Sequence, residues 1–128
     1  MLFHVRELVR RVDEPLAQQL DKEGLDFIQF AFRWVNCLLL REVPFHLGIR
    51  LWDTYLSEGG SGLKGFLVYV LGSFLLSWQN ELRGMEFQEL IMFLQRLPTG
   101  EWEEKDIETV LSRAHCWRIS FVGTGHFQ

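Results

Sequence analysis

Between Asp26 and Leu40 every polar residue falls on one narrow helical stripe: Asp26, Gln29, Arg33 and Asn36 recur at i, i+3, i+7 and i+10. The positions between them, Phe27, Ile28, Phe30, Ala31, Phe32, Trp34, Val35, Cys37 and Leu38 to Leu40, are all apolar. A helix that is apolar around most of its circumference needs neighbours on several sides. The pattern therefore predicts a central helix over 26–40 and a fold of helices packed about it. A second stretch makes the same demand. Gly65 to Trp78 is interrupted only by Gly72, Ser73 and Ser77, and it predicts a buried helix from Leu63 to about Leu82, ended near Gly84. It falls short of the ~18–20 apolar residues a spanning helix requires, so burial in a core is its destination.

The flanking segments read as helices of ordinary amphipathic kind, and no period-2 alternation suggests a strand. Leu2, Val5, Leu8, Val9 and Val12 share a stripe over 2–12. Asp13 then supplies a cap and Pro15 sits where a first turn tolerates it. Leu16 and Leu20 give the next short helix its inner face, and Gly24 ends it. Pro44 breaks the chain before a helix over Phe45–Leu56, in which Phe45, Ile49, Trp52 and Leu56 are expected to face inward and His46, Arg50 and Asp53 outward. Glu58 to Gly62 reads as a flexible loop. Phe87, Leu90, Ile91 and Leu94 mark a helix that stops before Pro98. The last helix has Glu101, Glu103, Glu104 and Asp106 early, Arg113 and Arg118 late, and an inner stripe of Ile107, Val110, Leu111 and Ala114. Val122–Gln128 is expected to fray as a flexible tail. The fold class is all-α, with six to seven helices.

Composition narrows the function classes. The 128 residues are 48% hydrophobic and 14% aromatic, with 23% charged, which excludes a disordered chain. A net charge of −4 without a Lys/Arg cluster gives no nucleic-acid footprint. Cys37 and Cys116 sit in apolar helical patterns and read as buried free thiols of a soluble intracellular protein.

No catalytic constellation emerges. His4, His46, His115 and His126 are scattered, and the adjacent His115 and Cys116 diverge by about 100° on a helix, so no metal site and no cofactor are expected. The glycines at 59, 60 and 62 lack the phosphate-loop pattern and follow a helix rather than a strand. Ser57 and Ser61 have no nucleophile context. Arg33-Trp34, Arg41-Glu42 and Arg50, Trp52, Asp53 crowd two neighbouring segments. They read either as a surface holding a partner or as an internal network, in which Arg33, Arg41 and Arg50 pair with Glu42 and Asp53 while the tryptophans fill the core. Spacing favours the internal network.

Two ordered runs carry a family resemblance. Phe30-Ala-Phe-Arg33-Trp34-Val-Asn-Cys-Leu38-Leu-Leu-Arg41-Glu42-Val-Pro44 is followed by Ile49-Arg50-Leu-Trp52-Asp53-Thr-Tyr55-Leu-Ser-Glu58. Together they resemble the C-terminal half of TBC (Tre-Bub-Cdc) Rab-GAP domains, and the Golgi Ypt/Rab-GAP branch in particular. Phe87 through Leu97-Pro98, then Trp102 and the last helix, fit the same branch, so the likeness covers residues 1–121. It implies an all-α domain whose partner is a GTP-bound Rab-family GTPase, hence vesicle traffic, and a cytoplasmic protein brought to Golgi or endosomal membranes by that partner. Such domains act through an arginine finger in an Ile-x-x-Asp-x-x-Arg motif and a glutamine finger in Tyr-x-Gln, both N-terminal to the matched region. Neither motif occurs in these 128 residues: Ile49 is followed at +3 by Trp52, and Tyr55 and Tyr69 at +2 by Ser57 and Leu71. Arg33, Trp34, Arg41, Glu42, Arg50, Trp52 and Asp53 therefore carry over as signature residues whose expected task is to hold the central helices together, with direct Rab contact as the other reading. Three readings of the chain stay open: the C-terminal part of a Rab-GAP domain, inactive alone; a non-catalytic helical module for a Rab or another partner; and an unrelated helical enzyme, which the lack of a catalytic site disfavours. Half of a helical domain exposes apolar surface that favours self-association.

Overall fold

The computed structural model of the chain describes residues 1–122, with 60, 61 and 122 as backbone only, and holds helices and no strand among them. Helix α1 (Leu2–Val12) buries Val5, Leu8 and Val9. It ends at Asp13, whose extended backbone opens α2 (Glu14–Lys22). One Asp13 oxygen accepts the Leu16 N–H at 3.1 Å, and the other receives Arg83 Nη2 at 2.8 Å. Capping explains why this acid is tolerated in a buried position. Gly24 (φ 75°) then reverses the chain: Leu25 N–H reaches Leu20 O at 2.9 Å and Gly24 N–H reaches Asp21 O at 3.0 Å, the paired bonds of a Schellman stop.

Helix α3 (Ile28–Asn36) is shorter than its periodicity predicts. It stops through the same pair of bonds, Leu39 N–H to Trp34 O at 2.9 Å and Leu38 N–H to Val35 O at 3.2 Å. Here the left-handed positions are leucines, Leu38 (φ 54°) and Leu39 (φ 66°). Each costs about 1–2 kcal/mol. Complete burial of Leu39 returns about 1.5–3 kcal/mol. The helix is also less enclosed than expected: Phe30, Ala31 and Trp34 are buried, whereas Ile28 and Phe32 face outward.

Helix α4 (Phe45–Leu76) replaces the expected loop at 58–62. Its only non-helical residue is Gly59 (φ 72°, ψ 175°), a corner that divides it into a first arm, 45–58, and a second arm, 60–76. Every residue from 66 to 76 is buried, which makes the second arm the true centre of the molecule. It ends at Leu76 rather than Leu82, and a separate turn, α5 (Gln79–Leu82), follows. Gly72 is where α1 crosses. A Cβ there would lie 2.7 Å from Leu8 Cδ2.

Helix α6 (Phe87–Gln95) starts with a capping box between Glu86 and Glu89. Helix α7 (Glu104–Val122) buries the predicted Ile107, Val110, Leu111 and Ala114. It lies in the elbow of α4. Pairs 50–108 and 58–118 run parallel to the first arm, while Ser73 Oγ–Val110 O at 2.8 Å and the Phe66–His115 ring contact run antiparallel to the second. Arg113 donates to Ser73 Oγ, Ser73 O and Ser77 Oγ, so it serves the carbonyl end of α4, not that of its own helix. Burial lowers the Arg113 pKa below its usual range. Trp34, Phe74, Trp78 and Trp102 form an edge-to-face and stacked chain with ring centroids 4.8–5.7 Å apart. The frayed tail expected from Val122 lies outside the described residues beyond 122, where α7 closes. Cys37 is half-buried and Cys116 exposed, both free, so the expected burial of Cys116 is overturned: it sits on the outer face of α7.

Candidate functional site

The signature residues gather where α3, the turn after it and the first arm of α4 meet. Arg33 leaves α3 and grips Glu42 with both forks, Nε to Oε2 at 2.8 Å and Nη2 to Oε1 at 3.0 Å. Nη2 also donates to Gln95 O at 3.0 Å, at the carbonyl end of α6. The Glu42 side chain is only 2% exposed, so its charge depends on this bidentate partner. The Glu42 hydrogen bond holds the Arg33 guanidinium above its usual range. Thr99 Oγ1 donates to the Glu42 carbonyl, which fastens the chain after α6 to the same turn. Trp34 lies at the bottom of the core, and its indole N–H has no hydrogen-bond partner.

Arg50 does not pair with Asp53, as the internal-network reading expected. It spans to α7, with Nη2–Glu108 Oε1 at 3.0 Å and Nε–Glu108 Oε2 at 2.7 Å, and also contacts Thr54. On a helix Asp53 lies about 60° round from Arg50, and α7 approaches from the other side. Arg41 and Asp53 are exposed. The network thus contains Arg33, Glu42, Trp34 and Arg50, and leaves out Arg41, Trp52 and Asp53.

Trp52 belongs to a different feature. The stripe expected to face the core faces solvent: Phe45 is 84% exposed, Ile49 51%, Trp52 45% and Leu56 65%. Leu47, Leu51 and Tyr55 point inward in its place. This arm carries two apolar stripes, and periodicity cannot choose between them; Gly48 on the boundary was the overlooked signal. A groove of about 210 Å³ opens among Leu40, Phe45, Gly48, Ile49 and Trp52. The two left-handed leucines aim Leu40 into it, and a Cβ on Gly48 would meet Leu40 Cδ2 at 3.4 Å. The Leu38 carbonyl in that turn accepts the Tyr55 hydroxyl at 2.8 Å. Burial pushes the Tyr55 phenol well above its ordinary range, so it stays a donor. Among the described residues no cluster of three or more His, Cys, Asp or Glu could hold a metal ion, and no helix is long and apolar enough to cross a membrane.

A model of the Rab-GTPase-TBC domain matches residues 1–83, which include α1 to α5 and all the signature residues. The chain belongs to the Rab-GTPase-TBC domain family. Relatives extend the match beyond the family model into α6 and α7. The GTPase-activating protein gyp1 of Schizosaccharomyces pombe is 50% identical over 122 residues, 95% of this chain and 24% of that protein. TBC1 domain family member 22A of Homo sapiens is 47% identical over 119 residues, 92% of this chain and 23% of that protein. A crystal structure of the Ypt/Rab-GAP domain of Gyp1p matches with a TM-score of 0.88 at 48% identity, over 94% of this chain and 37% of that chain. The chain therefore spans about a quarter of the length of these curated relatives.

Proposed function

We propose that this chain is the C-terminal portion of a Rab GTPase-activating domain, a helical scaffold that does not accelerate GTP hydrolysis by itself. The carrying observation is the absence, from these 128 residues, of both the Ile-x-x-Asp-x-x-Arg and the Tyr-x-Gln patterns. A finger arginine must reach a phosphoryl group on another protein. Arg33 is held by Glu42 and Gln95, and Arg50 by Glu108 and Thr54, so both work inside the fold. Their pairing supports a structural role for the signature. An arginine supplied in trans to such GTPases is worth about 10³–10⁵ in rate, which is ~4–7 kcal/mol of barrier. Its absence is therefore easy to read. Single-turnover GTP hydrolysis by a panel of Rab proteins is expected to run at the intrinsic rate in the presence of the chain. A hundredfold acceleration would overturn the proposal and direct attention to Arg41, the exposed signature arginine that neither clamp holds. The partner class remains a GTP-bound Rab, with vesicle traffic at Golgi or endosomal membranes as its setting.

A further inference from the structure

We infer that the solvent-facing stripe of the first α4 arm is an intradomain seam, the seat of an amphipathic helix from the remainder of a Rab-GAP domain. The inference rests on the family reading above and deepens it by assigning a face. Phe45, Ile49, Trp52 and Leu56 recur at i, i+4, i+7 and i+11, a straight apolar ridge about 17 Å long. Beside it lies the 210 Å³ groove, whose lining holds no charged side chain. That volume admits one or two aliphatic side chains, the knob-into-hole dimension of helix packing, and is too small for a nucleotide. Two local choices create the groove: a glycine in the first turn of α4 at position 48, and the left-handed leucines that aim Leu40 into it. His46 and Asp53 form a polar rim along one edge, where a helix's solvent face would begin.

The occupant follows from size. The exposed part of the four side chains amounts to roughly 450 Å², within the ~300–600 Å² of a monomer's largest and often functional patch, yet well short of the ~800 Å² per partner of a stable free-standing complex. A second copy of this chain is therefore a poor occupant. The chain corresponds to 37% of the solved Ypt/Rab-GAP domain whose fold it shares, so most of such a domain has no counterpart here and has faces of its own to bury. A segment of that remainder, held also by other contacts, makes a small seam sufficient.

The test uses two preparations. In the first, the 128-residue chain is mixed, without nucleotide, with the remainder of the Gyp1p domain expressed separately, and complex formation is followed by sedimentation. In the second, the chain replaces its matching span in the Gyp1p domain, and thermal unfolding is recorded. Ile49→Asp and Leu56→Asp are expected to weaken the complex at least tenfold and to lower the melting temperature of the chimera. The isolated chain should lose far less, because Leu56 is 65% and Ile49 51% exposed there. Phe3→Asp, an equally exposed apolar site on α1, is expected to change neither readout. Three results would overturn the seam. One is a complex and a chimera both indifferent to the stripe substitutions. Another is a concentration-dependent dimer of the isolated chain that those substitutions dissolve. The third is a GTP-loaded Rab that binds the isolated chain through this stripe. None of these readouts involves hydrolysis, so a failure of the proposed inactivity remains distinct from a failure of the seam.

Discussion

Truncating Arg33 to alanine separates the two roles open to the family signature. The substitution deletes both forks to Glu42 and the bond to Gln95 O, and leaves a carboxylate that is 2% exposed without its counter-charge. Breaking a buried ion pair from one side costs about 3–5 kcal/mol. The Arg33 side chain is itself 44% exposed, so water can enter behind it, and about 2–3 kcal/mol is the figure for this site. For a domain of this length that corresponds to a fall of roughly 8–12 °C in melting temperature. Glu42→Met is expected to cost less, because it removes the buried charge along with the bond. The double variant Arg33→Ala/Glu42→Met should be more stable than Arg33→Ala alone, with a coupling of about 1.5–2 kcal/mol in a double-mutant cycle. Arg33→Lys keeps the charge but not the fork, and should recover only part of the loss. Urea unfolding monitored by far-UV circular dichroism supplies all four corners. If Arg33→Ala changes stability by less than about 0.5 kcal/mol, the range of an ordinary surface substitution, the pair is not what holds α3, the turn and α6 together. The conservative reading of the signature would then be wrong.

Two further outcomes follow from packing and protonation. Gly72→Ala gains up to about 1 kcal/mol of helix propensity but drives a methyl to 2.7 Å from the fully buried Leu8. Overpacking of about 1–3 kcal/mol should win, so the variant unfolds at lower urea; a more stable Gly72→Ala would refute the close crossing of α1 and α4. Tyr55 has its pKa raised by burial, so its contribution is fully present below the unfolded tyrosine value near 10 and is lost as pH rises above it. Stability should therefore fall above pH ~10, less steeply in Tyr55→Phe, which also gives up about 1 kcal/mol at neutral pH by orphaning Leu38 O. Tyrosinate absorbance rising near pH 10 in the still-folded protein would contradict the burial of Tyr55 and the raised Tyr69 phenol.

Where local chemistry decides an element, the sequence was readable. Asp13, Pro15 and Gly24 bound α2 because capping, a fixed φ and a positive φ each have a characteristic residue. The inner stripe of α7 was legible because the helix has a single apolar face. Where tertiary contact decides, reading failed. Nothing about Leu38 and Leu39 announces a stop, since their left-handed turn exists only because Leu39 finds a cavity in the core. The first arm of α4 offers two apolar faces, and only the position of its neighbours selects Leu47, Leu51 and Tyr55 over Phe45, Ile49, Trp52 and Leu56. The partner of Arg50 was missed for the same reason, because Glu108 lies 58 residues away in sequence and arrives only when α7 docks.

That docking is keyed by charge order. Along the first arm the sequence of signs is Arg50 then Glu58, and along the facing stretch of α7 it is Glu108 then Arg118. Each clamp, being partly open to water, adds little to stability on its own. Together they act as a polarity code. Laying α7 into the elbow in the reverse direction would set Arg50 against Arg118 and Glu58 against Glu108, turning two attractions into two repulsions. Apolar burial is itself non-directional; the alternating signs favour one direction over the other.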